Sequence, residues 1–365
     1  MDSETKRLDQ EILAFIRRYP DKSAPEIDFE ALALRIFKYQ FARNPFYQKL
    51  CRLESKDPGN VKSWKEIPAM PTVGFKELVL AVFPKKNAVR VFQTSGTTQG
   101  IKGAHFFDSL KLYKASLIST FQKYLLPDHA QCRFFFLVGS PRELPHSSLS
   151  YMMEIVNGKF SHPSQGRYYV RANKIHYQEL AADLRSLKNG KAMVLAAAFS
   201  LKGFLDFLRE NKITLKLPRG SRLMETGGFK GRVKEISKGK LYSDCEKYLG
   251  IPKEYCVSEY GMTELSSQCY DTTLRDNVFG IHRKPRKEGP AWLRTVVIDP
   301  LTGREAKNGK LGLLRHFDLA NRGSVMAIQT EDLGQAVGDG FELLGRAPQA
   351  ELRGCSLTYE DLLSV

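Results

Sequence analysis

The sequence predicts an α/β protein, with a mostly parallel sheet covered by helices and a smaller antiparallel β segment after it. Apolar strand-like runs at 88–92, 133–138, 192–198 and 222–225 alternate with amphipathic helical stretches at 109–126, 148–156, 177–187 and 201–210. That alternation is the pattern of a parallel sheet with helices on its faces. From Leu293 the pattern changes to strand-like runs at 293–298, 312–317 and 324–330, separated by turn residues such as Pro300-Leu301-Thr302-Gly303 and Asn321-Arg322-Gly323. The linear division expected is a helical cap over 1–87, an α/β core over 88–290, a β-rich subdomain over 291–345 and a tail over 346–365.

The cap follows from helical spacing. Leu8, Ile12, Phe15 and Ile16 repeat until Pro20, and Phe29, Leu32, Ile36 and Phe37 repeat before Asn44-Pro45. Two prolines in Ile67-Pro68-Ala69-Met70-Pro71 make a rigid connector.

With 365 residues, 42% hydrophobic and 26% charged, the composition is that of a soluble globular chain. No run of about 18 apolar residues marks a membrane span, and the first twenty residues carry acidic groups and no signal-peptide pattern, so a cytoplasmic location is expected. Six scattered cysteines, without C-x-x-C spacing, read as reduced thiols. The net charge of +16 concentrates between Lys212 and Lys253 and in Arg283-Lys284-Pro285-Arg286-Lys287. Nucleic-acid signatures are absent, which leaves a solvated basic face, or second an acidic partner.

The chemistry is concentrated in a few loops. Thr94-Ser95-Gly96-Thr97-Thr98-Gln99-Gly100-Ile101-Lys102-Gly103 combines glycines, hydroxyl donors and a lysine after a predicted strand and before a predicted helix. Those parts make a phosphate cradle, because backbone N–H groups and a helix N-terminus attract anions. The spacing is not that of a Walker A loop. The second motif is Ser258-Glu259-Tyr260-Gly261-Met262-Thr263-Glu264-Leu265. Tyr260 offers a stacking face, Gly261 allows close backbone approach and Thr263 donates to phosphate. Glu264 beside polyphosphate requires a cation between them, which points to Mg²⁺. Thr226-Gly227-Gly228-Phe229-Lys230 is a glycine pair at a strand end, suited to a flat ligand or to a tight turn.

Together these segments resemble the acyl-adenylating superfamily of acyl-CoA synthetases, adenylation domains and firefly luciferase. Within it they are most similar to the LuxE-type acyl-protein synthetases of bacterial bioluminescence operons. The resemblance implies the fold of that superfamily's large N-terminal domain, with ATP and Mg²⁺ as cofactors. Thr94, Ser95, Gly96, Thr97, Thr98, Gly100 and Lys102 are then placed on the phosphates, Gly227, Gly228, Tyr260 and Gly261 at the adenine, and Glu264 on the metal. It further implies Asp332, in Thr330-Glu331-Asp332-Leu333-Gly334, for the ribose, although Glu331 replaces the family's usual glycine. Arg346 matches the Gly-Arg at the superfamily's hinge, and His146, by its context in the loop 139–148, is placed beside the carboxylate substrate.

Typical members continue well past that hinge into a domain with a catalytic lysine, whereas this sequence stops at Val365. Arg353-Gly354-Cys355-Ser356 resembles the acylated cysteine of acyl-protein synthetases. Cys355 lies nine residues beyond Arg346, a tether of up to about 30 Å. Arg353 and a capping-box-like helix start at Thr358 would favour its thiolate.

The expected activity is a two-step ligase: a fatty acid becomes an acyl-adenylate, and Cys355 takes the acyl group for delivery to an acyl reductase. Two alternatives stay open: direct transfer to CoA or an acyl-carrier protein, and a nucleotide-binding regulatory protein without turnover. Phe134, Phe135, Phe136, Tyr151, Met152 and Met153 read either as an acyl tunnel or as plain core.

Overall fold

Proline and apolar periodicity set the opening helices where expected. In the computed structural model, which describes residues 1–21, 23–94, 102–162, 164, 166–227, 236–307 and 309–347, helix α1 covers Ser3–Arg18, α2 Glu26–Arg43 and α3 Pro45–Leu53. Asp2 caps α1 by accepting from the Thr5 N–H at 2.8 Å, and Asn44 caps α3, whose first residue is Pro45. A short strand β1 (Met70–Pro71), a one-turn helix α4 (Gly74–Glu77), strands β2 (Arg90–Gln93) and β3 (Ala104–Phe107) and helix α5 (Lys111–Leu125) follow.

The middle of the chain alternates as predicted: β4 (Cys132–Gly139), α6 (Ser148–Phe160), β5 (Arg167–Arg171), β6 (Lys174–Ile175), α7 (Tyr177–Ser186), β7 (Lys191–Ala197), α8 (Ala198–Glu210), β8 (Arg222–Thr226), α9 (Lys238–Leu249) and β9 (Cys256–Tyr260). After β10 (Cys269–Asp271) and α10 (Thr273–Val278) come β11 (Lys287–Glu288), β12 (Leu293–Ile298), β13 (Leu311–Asp318), β14 (Ala327–Val337) and β15 (Gly340–Arg346).

The chain divides into two compact units. The first comprises Met1–Thr120, Met262–Cys269 and Arg286 onward; the second comprises Phe121–Gly261 and Tyr270–Pro285. Where the sequence divides linearly at 87, 290 and 345, the structure interleaves, because the N-terminal helices and the β-rich segment fill one core. Leu8, Ile12 and Ile16 of α1, Phe29, Ile36 and Phe37 of α2, and Val296, Phe317, Met326 and Ile328 from the β-rich segment form that cluster. Trp64 sits edge-on to both Phe29, at 5.3 Å, and Phe317, at 4.8 Å. Gln40 of α2 donates to the Asn321 carbonyl at 2.9 Å and accepts from the Met326 N–H at 3.0 Å, which satisfies the turn between β13 and β14. Arg322 of that turn is buried between Asp9 of α1 and Asp108 after β3, at 2.7 and 2.9 Å.

In the second unit β5, β4, β7, β8 and β9 are neighbours in that order, and every pair among them is parallel. Helices α7, α8 and α9 bury Leu180, Leu184, Leu201, Phe204, Leu241 and Leu249 against Val194, Leu223 and their neighbours. Phe134, Phe135, Phe136, Tyr151, Met152 and Met153 are all buried. Arg222, counted by the sequence in the basic stretch, is fully buried in a bidentate pair with Asp128 at 2.8 and 2.9 Å. Arg283 of the second basic run is likewise held by Asp276, and Lys287 is buried.

Two expectations need correction. The run at 88–92 does not join the parallel sheet: β2 pairs antiparallel with β3, with Phe92 opposite His105 and Gln93 opposite Ala104. Phe92 and Phe107 meet at 5.2 Å, so each strand gives the other an apolar surface. The segment 94–103 therefore connects two paired antiparallel strands, and α5 begins eight residues after Gly103 instead of directly receiving it. The strand expected at 324–330 is β14, which starts at Ala327 and carries Thr330, Glu331 and Asp332 inside it.

Candidate active site

In the first unit the two ends of the segment 94–103 are joined by a reciprocal pair of bonds. Thr94 N–H donates to the Gly103 carbonyl at 2.9 Å, and the Gly103 N–H donates to Thr94 Oγ1 at 2.8 Å. The Thr94 hydroxyl thus accepts one bond and keeps its own proton to give. A Cβ at 103 would lie 3.0 Å from Thr94 Cγ2 and 3.4 Å from the Phe75 carbonyl, tight enough that Thr94 would have to give by a few tenths of an ångström. Lys102 is exposed. Ser95, Gly96, Thr97, Thr98 and Gly100 lie outside the described residues.

The Thr263–Glu264 segment is fastened beside this hairpin. Thr263 Oγ1 lies 3.5 Å from the Gln93 carbonyl oxygen at the end of β2. Its own carbonyl is met by His105 Nδ1 of β3 at 2.8 Å, and the Glu264 carbonyl accepts from Asn321 Nδ2 at 2.9 Å. Glu264 is buried, at 7% exposure. Burial pushes its carboxyl up to about 7; Arg346 and Lys76 oppose the shift, and Asp332 adds to it. Asp332 and Arg346 face each other across β14 and β15, with Arg346 Nε 3.6 Å from Asp332 Oδ1. One unit therefore brings Thr94, Thr263, Glu264, Asp332 and Arg346 into one neighbourhood, with Lys76 of α4 added.

The second unit sets its candidates at the carboxyl ends of parallel strands, where α/β sheets bind ligands. Tyr260 is the last residue of β9, buried, with Gly261 exposed after it. Gly227 follows β8 at φ +73, a backbone conformation that favours glycine. Thr226 donates to the Glu259 carboxylate and so ties the ends of β8 and β9 together. His146 is exposed in the turn after β4 that leads into α6. Gly228 and Cys355 lie outside the described residues.

His105 and Lys76 went unnoticed at the sequence level, and Asn321 was read there only as a turn residue. His105 and Asn321 act through contacts far away in the chain, Lys76 through its charge on Glu264, and none belongs to a motif that carries the chemistry. Burial drives the His105 imidazole down to about 4, against the bond to the Thr263 carbonyl, so it is neutral at pH 7.

The sequence profile of the acyl-protein synthetase family, LuxE, matches residues 20–364. The chain belongs to the acyl-protein synthetase family. A long-chain-fatty-acid–luciferin-component ligase from Aliivibrio fischeri is 20% identical over 349 residues, covering 92% of this chain and 88% of the relative. Among solved structures, 2-hydroxyisobutyryl-CoA ligase in complex with 2-HIB-AMP and CoA has a TM-score of 0.69 at 14% identity, over 91% of this chain and 72% of that one. ATP-bound MatB from Rhodopseudomonas palustris has a TM-score of 0.51 at 14% identity, over 72% of this chain and 49% of that one. These likenesses are of fold, a mixed α/β architecture shared with those enzymes. As a member of a synthetase family, the protein is a ligase. Among the described residues, no helix is long and apolar enough to cross a membrane.

Proposed function

We propose that this acyl-protein synthetase activates a long-chain fatty acid with ATP and captures the acyl group on Cys355. In the first step a carboxylate oxygen attacks the α-phosphorus of ATP, an acyl–O–P bond forms, and pyrophosphate leaves. In the second the Cys355 thiolate attacks the acyl carbonyl, and AMP leaves with the bonding electron pair. The resulting thioester is the form passed to an acyl reductase.

The observation that supports this most is the buried carboxyl of Glu264, fastened through its neighbour Thr263 to the base of the glycine-rich hairpin. Thr94, Ser95, Gly96, Thr97, Thr98, Gly100 and Lys102 hold the phosphates. Tyr260 and Gly261, with Gly227 and Gly228, hold the adenine. Asp332 accepts the ribose hydroxyls, Arg346 reaches the ribose or α-phosphate, and His146 lies beside the fatty carboxylate. Catalysis of this kind is orientation plus charge stabilisation at the phosphorus.

Glu264 fits Mg²⁺ by its chemistry. The carboxyl is pushed to about 7 by burial, so its anion gains from a cation. Among the described residues no three His, Cys, Asp or Glu side chains gather into a metal cage. Mg²⁺ suits such a place, because it is commonly held by one or two carboxylates together with waters and substrate phosphates. When bound it neutralises phosphate charge.

The test is incubation with radiolabelled fatty acid and ATP. The protein is expected to take up label in a form that hydroxylamine releases. Cys355→Ser is expected to lose the label while retaining carboxylate-dependent ATP–pyrophosphate exchange. Undiminished labelling of that variant would refute the nucleophile.

A further inference from the structure

His105 takes part in no step above, yet it is 1% exposed on β3 with its ring walled by Phe107 at 4.1 Å and Phe75 at 5.8 Å. Its Nδ1 meets the Thr263 carbonyl oxygen at 2.8 Å, across 158 residues of chain. A carbonyl only accepts, so Nδ1 carries the proton and the ring is fixed in one tautomer. The next carbonyl, that of Glu264, is taken by Asn321 Nδ2, which also donates to the Val325 carbonyl at 2.7 Å. Asn321 is itself buried, at 1% exposure. Two successive carbonyls of the motif are thus gripped by side chains from two other elements, and one of those elements is the hairpin that carries the glycine-rich loop.

We propose that His105 is a positioning residue: its Nδ1–H locks Thr263 and Glu264 in register with the β2–β3 hairpin, so that the phosphate loop and the Glu264 carboxylate address the same nucleotide. His105 touches no reacting atom. The proposal deepens the adenylation reading and rests on it for its functional consequence, while the lock itself is a property of the fold. Without the donor, the Thr263 carbonyl loses this partner at a half-buried position, and the segment shifts to reach water.

The test compares the full-length chain with His105→Asn, His105→Gln and His105→Ala. Asparagine places an amide nitrogen where Nδ1 stands; glutamine places it further out, where Nε2 stands. Deuterium exchange in peptides covering 262–266 is read first. It is expected to stay slow in the unaltered protein and in His105→Asn, and to become faster in His105→Gln and His105→Ala. Fatty-acid-dependent ATP–pyrophosphate exchange is read second. His105→Gln and His105→Ala are expected to lose about 10- to 100-fold in kcat with little change in the KM for ATP, and His105→Asn to retain most of it. Equal deuterium exchange in all four proteins overturns the lock, as does failure of His105→Asn alongside His105→Gln. If His105→Ala does not fold, the asparagine and glutamine variants carry the comparison, and equal behaviour of those two overturns it. If the unaltered protein shows no pyrophosphate exchange, the adenylation reading falls, while the deuterium comparison still decides the lock.

Discussion

Burial and charge pull Glu264 in opposite directions, and the pH dependence of stability reads the balance. The ordinary value for its carboxyl is 4.5, and burial in the fold, partly offset by Arg346, brings it to about 7. Between those values the folded chain keeps a proton that the unfolded chain has released, so stability falls as pH rises from 4.5 to 7. Above 7 both states are ionised and the cost stays constant. Glu264→Gln in EDTA is therefore expected to gain on the unaltered protein across that window. The gap at pH 8 is on the order of 3 kcal/mol, because each tenfold change in proton affinity is worth about 1.4 kcal/mol. Urea unfolding at pH 5 and pH 8 measures it, and an identical gap at both would show that the carboxyl is hydrated in the folded chain. Asp318, also pushed up by burial, to about 6, contributes in the same direction. Comparing the two proteins at each pH subtracts its contribution. The same variant is expected to lose Mg²⁺-dependent pyrophosphate exchange.

Among the elements, two glycines predict contrasting outcomes. Gly227 has a positive φ, and among the described residues nothing lies within 4 Å of a Cβ there, so Gly227→Ala is expected to cost about 1 kcal/mol in thermal or urea unfolding through backbone strain. Gly103 has no positive φ, but a Cβ there would be tight against Thr94, so Gly103→Ala presses on Thr94 and is expected to raise the KM for ATP more than it lowers stability. Titrating ATP in the pyrophosphate-exchange assay checks this, and an unchanged KM would count against the loop assignment. The helices from 109 onward were legible because long amphipathic periodicity survives without tertiary information. Strand β3 was not legible: Ala104-His105-Phe106-Phe107 is short and lacks alternation, and the loop before it carries no hairpin turn signature. Strand β9 was hidden for another reason. Its Ser258 and Glu259 are polar, and the buried Glu259 is accommodated by the Thr226 hydroxyl, a partner that the local sequence does not reveal.

At the scale of the whole molecule, the most exacting contact in the first unit is Arg322 between Asp9 and Asp108. All three side chains are nearly inaccessible, at 2%, 7% and 8% exposure. Replacing the arginine alone leaves two carboxylates buried without a cation, so Arg322→Met is expected to destabilise by about 3 to 5 kcal/mol in urea unfolding. Adding Asp9→Asn and Asp108→Asn is expected to restore part of that loss. If Arg322→Met unfolds like the unaltered chain, the triad is hydrated. The fold class was readable because strand–helix alternation is a local property of the sequence. The shared core of α1, α2 and the β12–β14 segment was not, since periodicity shows that a face is apolar without showing which distant segment covers it.

That core has a consequence for the order of events at the ribosome. Helices α1 and α2 are translated well before their apolar partners Val296, Phe317 and Ile328, which lie more than two hundred residues further along. The parallel strands β4, β5, β7, β8 and β9, all between Phe121 and Gly261, have one another available well before then. The nascent chain must therefore carry two greasy helices uncovered until the β12–β14 segment has been made.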